Sequence, residues 1–198
     1  MPVDSLLPML VLAFSAAWTP GPNNALLAAS GARFGLRQTM PHVLGVGLGF
    51  PVMVLIVGLV LAQAFQASLW LQEGLRWGGG ALLLWMGWKI AMAGRPGQSA
   101  TNDTPFSFVG AAAFQWVNPK GWVMAISITS LYLSRTAPIQ TAAIIATTFL
   151  VAGLSSAFGW AWLGQMLSGW LGGGLRLRLF NLAMGVMVAL GAVALFLE

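Results

Sequence analysis

Apolar residues run through the chain in stretches that are long enough to cross a membrane and are separated by short polar segments. A membrane-spanning helix needs about 20 predominantly apolar residues, and the second stretch carries no charge from Val43 to Gln66. The polar segment 94–105 divides the stretches into two halves of three, 1–93 and 106–198, within a single membrane domain. The predicted spans cover about residues 5–30, 42–64, 75–93, 106–132, 138–163 and 179–197.

The composition supports this pattern. Of the 198 residues, 58% are hydrophobic and only 7% are charged, whereas roughly a quarter of the residues in a soluble domain are charged. Such a chain cannot coat a globular surface with charge, so we predict an all-α integral membrane protein. The chain has no cysteine, which excludes disulfides and thiolate metal sites, and no motif implies a cofactor or a metal.

The basic residues predict how the chain lies in the membrane. The net charge is +5, but the basic residues are scattered between apolar runs and form no basic face, which excludes a nucleic-acid partner. The N-terminal run has no basic residue before Arg33, so it is predicted to be a first span and not a cleaved signal peptide. Because basic loops stay inside, both termini should be periplasmic. The segments after spans 1, 3 and 5 contain Arg33, Arg37, Lys89, Arg95, Arg176 and Arg178, and those after spans 2 and 4 contain Arg76 and Arg135.

Two halves of three spans each must insert with opposite orientations, which is the inverted-repeat plan of many secondary transporters. A short match between the halves supports a repeat. Phe14 corresponds to Phe114 at a separation of 100 residues, and Pro20 corresponds to Pro119 after a gap of one residue. We therefore predict a 3+3 inverted repeat of six transmembrane helices.

Spans 1 and 4 each contain a helix breaker near the midpoint. Prolines in "WTPGPNN" (residues 18–24) and in Asn118-Pro119 remove amide hydrogens and push the preceding residue out of helical geometry. Broken helices paired across an inverted repeat indicate a binding site at the midplane. The free amides can receive a carboxylate and the free carbonyls an ammonium group, which together suit an amino-acid zwitterion. The alternative is a pair of plain proline kinks.

Lys120 is the only charged residue near the middle of a predicted span. Such a charge is costly unless it is paired or solvated, so we expect its amine beside the backbone around residues 20–23, where it would meet a substrate carboxylate. The alternative is a lysine that snorkels and caps a carbonyl. His42, at the start of span 2, is either a proton carrier or a polar boundary residue.

The motifs "TPGPNN", "GARFGLRQT", "GVGLGF", "WMGWKIAMA" and "FQWVNPKGW" resemble those of the lysine exporter / homoserine-threonine exporter family, and the branch that exports cysteine and O-acetylserine is the most similar. The resemblance implies a bacterial inner-membrane exporter of amino acids or close derivatives that is driven by the membrane gradient. It implies substrate-binding roles for Pro20, Gly21, Pro22, Asn23, Asn24, Asn118, Pro119 and Lys120.

The leading hypothesis is therefore a secondary active exporter that works by alternating access. Protons are a candidate coupling ion, although no deep carboxylate is available to carry them, and a homo-oligomer is left open. A passive channel or an accessory membrane subunit is the alternative. An intramembrane enzyme is disfavoured, because one shallow histidine and no deep acid provide neither a nucleophile with its base nor a metal site.

The predicted orientation can be tested because the chain contains no cysteine. Single cysteines at Ser5 and Thr101 should differ in labelling by an impermeant thiol reagent on intact spheroplasts, with Ser5→Cys labelled and Thr101→Cys protected. The reverse pattern would show that the termini face the cytoplasm.

Overall fold

A computed structural model describes residues 5–61, 68–93, 104–172 and 174–194, and every regular element within those ranges is a helix. One π-helical segment, Val57–Leu61, directly follows the α-helix that ends at Ile56. Another, Leu75–Gly79, joins the α-helix that ends at Gly74 to the one that begins at Gly80. Most of the predicted linker 94–105, including Thr101, lies outside the described residues. The α-helices are α1 (Leu6–Trp18), α2 (Pro22–Phe34), α3 (Leu36–Ile56), α4 (Leu69–Gly74), α5 (Gly80–Ala91), α6 (Phe108–Phe114), α7 (Pro119–Tyr132), α8 (Pro138–Leu171) and α9 (Leu175–Ala194).

The described part of the chain contains three helices that are long and apolar enough to cross a membrane alone: Leu36–Val60, Pro138–Leu171 and Leu175–Val193. Large apolar side chains are exposed on the outside of the helices: Val60, at the end of the first of these three, and Leu7 in α1 are each 70% exposed. Soluble proteins rarely expose contiguous apolar surface on this scale. The surface therefore indicates that lipid surrounds the helices.

α1 and α2 follow one another along α8 in the same direction. Ser156 donates a hydrogen bond to the carbonyl of Ala17 in α1, and further along α8 the backbone of Ala161 touches Gly31 in α2. α1 has 13 residues and is therefore about 20 Å long, which is shorter than the roughly 30 Å hydrocarbon core. The two helices together have the length that a span needs.

The same relation holds for α6 and α7, which run in order along α3. Gly45 in α3 lies against Phe108 in α6, and Gly58, beyond the end of α3, lies against Thr129 in α7. α5 pairs instead with α9 in the opposite direction, with Leu83 near Gly191. An apolar cluster centred on Phe149 of α8, whose ring meets Phe50 at 5.1 Å, joins α1, α3, α7 and α8.

Several helix boundaries differ from the sequence prediction. Residues 31–41 were expected to form a loop, but α2 reaches Phe34 and α3 begins at Leu36, so the prediction of a loop there is wrong. Gly35 alone makes the turn, with φ of +78°, a conformation that glycine adopts at little cost. The polar residues that suggested a loop form the first turn of α3, and Pro41 lies inside that helix. α8 also continues to Leu171, beyond the expected end near residue 163.

α2 and α8 cross where two glycines allow their backbones to touch. A Cβ atom on Gly31 would clash with the carbonyl of Ala161, and one on Gly164 would clash with the carbonyl of Ala28. Small residues at such crossings let membrane helices pack closely, because lipid provides no hydrophobic driving force between them. The crossing therefore fixes how α2 lies on α8.

We expect Gly164→Ala to lower the thermal unfolding temperature of the purified protein in detergent, because the methyl group must push α2 away from α8. Gly169→Ala is the matched control on the same helix, since nothing lies within 4 Å of the position of its Cβ. The control should be neutral or slightly stabilising, because alanine favours a helix by about 1 kcal/mol over glycine. Equal effects of the two substitutions would contradict the packing argument.

Candidate functional site

The helix of the first predicted span is interrupted between Trp18 and Pro22. Pro20 and Pro22 both lack the amide hydrogen that a helix uses, and each disfavours helical geometry in the preceding residue. Gly21 between them is fully extended, with φ of −177° and ψ of −177°. α2 then begins with proline at its first position, where the missing amide hydrogen costs nothing. The carbonyl end of α1 and the amide end of α2 therefore lie close together.

Polar side chains cap the carbonyl end of α1. The Nδ2 group of Asn24 donates to the carbonyl oxygens of Ala17 and Thr19, both at 3.0 Å, and the hydroxyl of Ser156 donates to Ala17 at 2.8 Å. Because a carbonyl only accepts hydrogen bonds, the side of the Asn24 amide that faces it must be the NH₂ group. Asn24 therefore holds the interruption together.

Lys120 reaches the first interruption from the second. Its Nζ donates to the carbonyl oxygen of Thr19 at 2.6 Å, and its stem passes Gly21, where a Cβ atom would lie 3.1 Å from Lys120 Cδ. A cation at a helix C-terminus is favourable, because the helix dipole is negative there. The amine thus lies on the backbone of the first interruption, at Thr19, one residue before the stretch 20–23 that the sequence predicted.

The second interruption lies between Phe114 and Pro119. Asn118, which precedes the proline, has extended geometry with φ of −82° and ψ of 112°. Gln115 is only 1% exposed, and its Nε2 donates to the carbonyl of Ala111 at 2.8 Å. A glutamine in the turn after α6 is thus buried in the protein and oriented by the helix before it.

Gln115 also connects the two interruptions. Its Oε1 accepts a hydrogen bond of 2.8 Å from Asn23 Nδ2. The orientation of both amides follows from the backbone: the Ala111 carbonyl fixes the Gln115 NH₂ group, so Oε1 faces Asn23, which must then present its own NH₂ group. This leaves Asn23 Oδ1 buried without a hydrogen-bond partner, and Asn118 Oδ1 is buried and unpartnered as well.

Two hollows meet at Lys120. The first is an inner cavity of about 50 Å³, which has room for a few water molecules. The second is a groove of about 720 Å³ between the interruptions and α9. Residues from both interruptions line each hollow, so the structure brings the two breaks together. The inner cavity is lined in part by Gly21, Asn23, Asn24, Gln115, Asn118, Lys120 and Ser156, and the groove by Pro20, Gly21, Pro22, Pro119 and Lys120 together with residues of α7 and α9.

All eight residues that the resemblance implicated therefore line one or both of these two adjoining hollows. His42 does not join them: it is buried against the ring of Phe106, with ring centroids 5.1 Å apart, and lines a different cavity. Sequence reasoning missed Gln115 and Ser156. Gln115 could have been recognised as a candidate only because it is polar and close to the break predicted at Asn118-Pro119. Nothing in the sequence around Ser156 pointed to a role at the site.

An apolar exterior, long apolar helices and a polar cavity between two helix interruptions define an α-helical membrane protein. The sequence profile of the LysE type translocator family matches residues 14–198, and the chain belongs to this family. It is therefore a membrane transport protein.

The curated relatives include proteins named cysteine/O-acetylserine efflux protein. One from Escherichia coli O1:K1 / APEC is 29% identical over 154 residues, which cover 76% of this chain and 77% of the relative. Relatives of the same name from Escherichia coli (strain K12) and Shigella flexneri serotype 5b (strain 8401) match with the same identity and coverage. No solved structure matches the chain.

The capping of α1 predicts non-additive effects on stability. Asn24→Ala and Ser156→Ala each remove one donor from the Ala17 carbonyl, and each should cost about 1 kcal/mol. The double variant leaves that partly buried carbonyl without either side-chain donor, so the loss of stability should exceed the sum of the single losses by about 1 kcal/mol. The free energies of unfolding of the parent, both single variants and the double variant can be measured by titration with SDS. Strictly additive losses would show that the two side chains do not share the Ala17 carbonyl.

Proposed function

We propose that the protein is a secondary active exporter of amino acids or small amino-acid derivatives, of the cysteine/O-acetylserine kind, that works by alternating access across the bacterial inner membrane. Its family membership and the names of its relatives support this proposal. The observation that carries it is the contact of Lys120 with the opposite helix break, beside two unpartnered amide oxygens.

These groups suit the two ends of a zwitterion. The ammonium group of Lys120 can exchange the Thr19 carbonyl for a substrate carboxylate, which is a stronger acceptor. The amide end of α2 adds positive potential on the same side. The unpartnered oxygens of Asn23 and Asn118 can accept hydrogen bonds from the substrate ammonium. An unpartnered buried acceptor costs about 1–3 kcal/mol, so a ligand that donates to both oxygens forms hydrogen bonds that the protein itself does not supply.

Reciprocal contacts support the proposed inverted repeat. A Cβ atom on Gly87 would lie 2.7 Å from the carbonyl of Gly185, and one on Gly185 would lie 2.5 Å from the carbonyl of Gly87. Gly87 also contacts Ala189, while Gly185 contacts Ala91. Such an exchange of partners is the mark of a two-fold relation. The offset of 98 residues between Gly87 and Gly185 is close to the offset of 100 between Phe14 and Phe114.

The helix pairs follow the same symmetry. In the proposed six-span arrangement, the broken span α1–α2 packs on α8 of the second half, and the broken span α6–α7 packs on α3 of the first half. A two-fold rotation that exchanges the halves places the α1–α2 span and α8 where the α6–α7 span and α3 had been. The same rotation exchanges α5 with α9, so that pair is related to itself. Each broken helix is therefore held by a continuous helix of the other half, and alternating access requires the contacts at both breaks to change together.

The inner cavity of about 50 Å³ is too small for an amino acid, so transport requires it to open on one side at a time. A carrier of this kind exchanges solute across the membrane, whereas a passive channel does not. Protons remain our candidate coupling ion, and the periplasmic placement of both termini remains part of the proposal.

Counterflow in proteoliposomes tests the proposal. A panel of radiolabelled amino acids that includes cysteine and O-acetylserine would be offered to vesicles with and without the same solute preloaded, and with and without an imposed pH gradient. Preloading should accelerate uptake of at least one solute on a carrier. Uptake that is unaffected by preloading would support the channel alternative, and no uptake of any solute would overturn the amino-acid assignment.

Lys120→Met should reduce efflux by an order of magnitude or more, because it keeps the length and apolar stem but removes the charge that meets the carboxylate. Loss of a charge-assisted hydrogen bond is worth about 1.5–3 kcal/mol, which is tenfold or more in affinity. Lys120→Arg should not restore full transport, because a planar guanidinium differs in shape from a compact ammonium. Efflux of the same radiolabelled solute from proteoliposomes provides the measurement.

Arg135→Met is the control, since it removes one charge from an exposed position between α7 and α8. The amount of folded protein in the vesicles must be equal for all variants. If Lys120→Met transports at the parental rate, the lysine only caps α1 and the proposed site is wrong.

A further inference from the structure

The groove beside Lys120 differs from the inner cavity in the chemistry of its walls. It measures about 720 Å³, whereas the inner cavity measures about 50 Å³. Amide and hydroxyl side chains line part of the inner cavity. Among the described residues that line the groove, Lys120 is the only charged one, and all the others are proline, glycine, alanine, valine, leucine or methionine. Lys120 therefore places a single charge beside an otherwise apolar space.

One face of α9 forms the far wall of the groove. Its lining residues follow helical spacing, from Ala183 through Val186 and Met187 to Gly191. Ala183 and Gly191 are eight residues apart, which is about 12 Å along a helix. A Cβ atom on Gly191 would lie 2.5 Å from Cγ of Pro22, so this end of the wall touches the first interruption. The groove thus extends from the first interruption along α9 to Ala183.

The groove and the inner cavity adjoin at three residues that line both, Gly21, Lys120 and Met124. In the described part of the chain, Lys120 uses one of the three N–H donors of its ammonium group for the Thr19 carbonyl. A carboxylate bound to that amine would therefore lie where the two hollows meet. The inner cavity has room for only a few water molecules, so the remainder of a bound amino acid fits the groove.

The mouth of the groove faces the lipid that surrounds the helices. Val123 on α7 is 44% exposed, and Val186 and Leu190 on α9 are 47% and 60% exposed. An ionised group is strongly unfavourable in such a medium, whereas an apolar group is not. Met124 and Met187 lie on the two walls, and methionine adapts to different apolar shapes because its side chain is unbranched and flexible.

We propose that the groove is the side-chain subsite of the exporter: with the solute carboxylate at Lys120, the groove holds an uncharged side chain between α7 and α9. This assignment rests on the function proposed above and adds a substrate class to it, amino acids with an uncharged and largely apolar side chain, including side chains longer than that of cysteine. An acyl chain from the bilayer could fill the apolar space, but it would leave the amine of Lys120 without an anion.

The first test compares norleucine with lysine, which is norleucine with a terminal ammonium group. Isothermal titration calorimetry on the purified protein in detergent measures the binding of each without any transport. Norleucine should bind about tenfold more tightly than lysine or better, because the second ammonium group of lysine would have to enter the apolar groove. Equal affinities, tighter binding of lysine, or no binding of norleucine would overturn the subsite.

The second test shortens the groove. Ala183→Trp places a large side chain at the end of the groove wall that is distant from Pro22, and it should weaken the binding of norleucine about tenfold. Binding of L-2-aminobutyrate should be unchanged, because its ethyl side chain is short. Leu182→Trp is the matched control: Leu182 is the neighbouring residue on α9, is 49% exposed and does not line the groove. This control should change neither affinity.

Met187→Ala keeps the proposal testable if Ala183→Trp does not fold. It removes apolar contact from the same wall and should weaken the binding of norleucine more than that of L-2-aminobutyrate. Equal effects of Ala183→Trp and Leu182→Trp, or equal losses for the two solutes in Met187→Ala, would show that lipid and not the solute fills the groove. Binding with the expected preferences in a protein that carries no solute in counterflow would overturn the proposed export and leave the subsite in place.

Discussion

The hydrogen bond between Lys120 Nζ and the carbonyl of Thr19 is the constraint on which the arrangement of the two helix interruptions depends. A lysine at this depth is costly in lipid, and the described residues offer it a helix carbonyl end but no carboxylate. The carbonyl dipoles offset only part of a full positive charge, so a net charge remains for an anionic ligand. Pro20 and Pro22 interrupt the helix and so free the Thr19 carbonyl, and Gly21 leaves room for the stem of Lys120. All three residues are therefore needed for this hydrogen bond.

Packing in lipid explains why small residues hold the interruptions in place. Apolar side chains gain little by leaving lipid for each other, so close backbone approach and buried hydrogen bonds stabilise the helix pairs. The Gly31–Gly164 crossing sets α2 on α8. Ser156 on the same face of α8 then reaches the end of α1. α8 therefore positions both α1 and α2, and Lys120 can reach the gap between them.

The sequence was sufficient for features that depend on local chemistry. The prolines predicted breaks near residues 20 and 119, and new helices begin at Pro22 and Pro119; that these breaks divide membrane spans remains a proposal. The cost of an isolated charge left backbone carbonyls, water or a substrate carboxylate as partners for Lys120. Features that depend on three-dimensional packing were not accessible. Gln115 bridges the two interruptions only because the end of α6 lies beside α2 in the folded chain. The start of α3 was not predicted, because its first turn is polar, it contains Pro41, and Gly35 turns the chain in a single residue. The family profile then showed that the chain is a translocator, and the names of its relatives support the amino-acid solute that the free helix ends suggested.

The positions of the hollows indicate which parts must move. The cavity that His42 lines measures about 530 Å³, whereas the inner cavity has room for only a few water molecules. An apolar cluster around Phe114 joins α2 to α5 and α6. α5 and α9 touch backbone to backbone at Gly87 and Gly185, so they are expected to move as one body. The α5–α9 pair meets the first interruption at Pro22, which lies against Gly191 of α9, and Leu83 of α5 lies beside Gly191. Displacing the α5–α9 pair from Pro22 would therefore open the cluster and widen the inner cavity in one movement, while the α2–α8 crossing stays fixed.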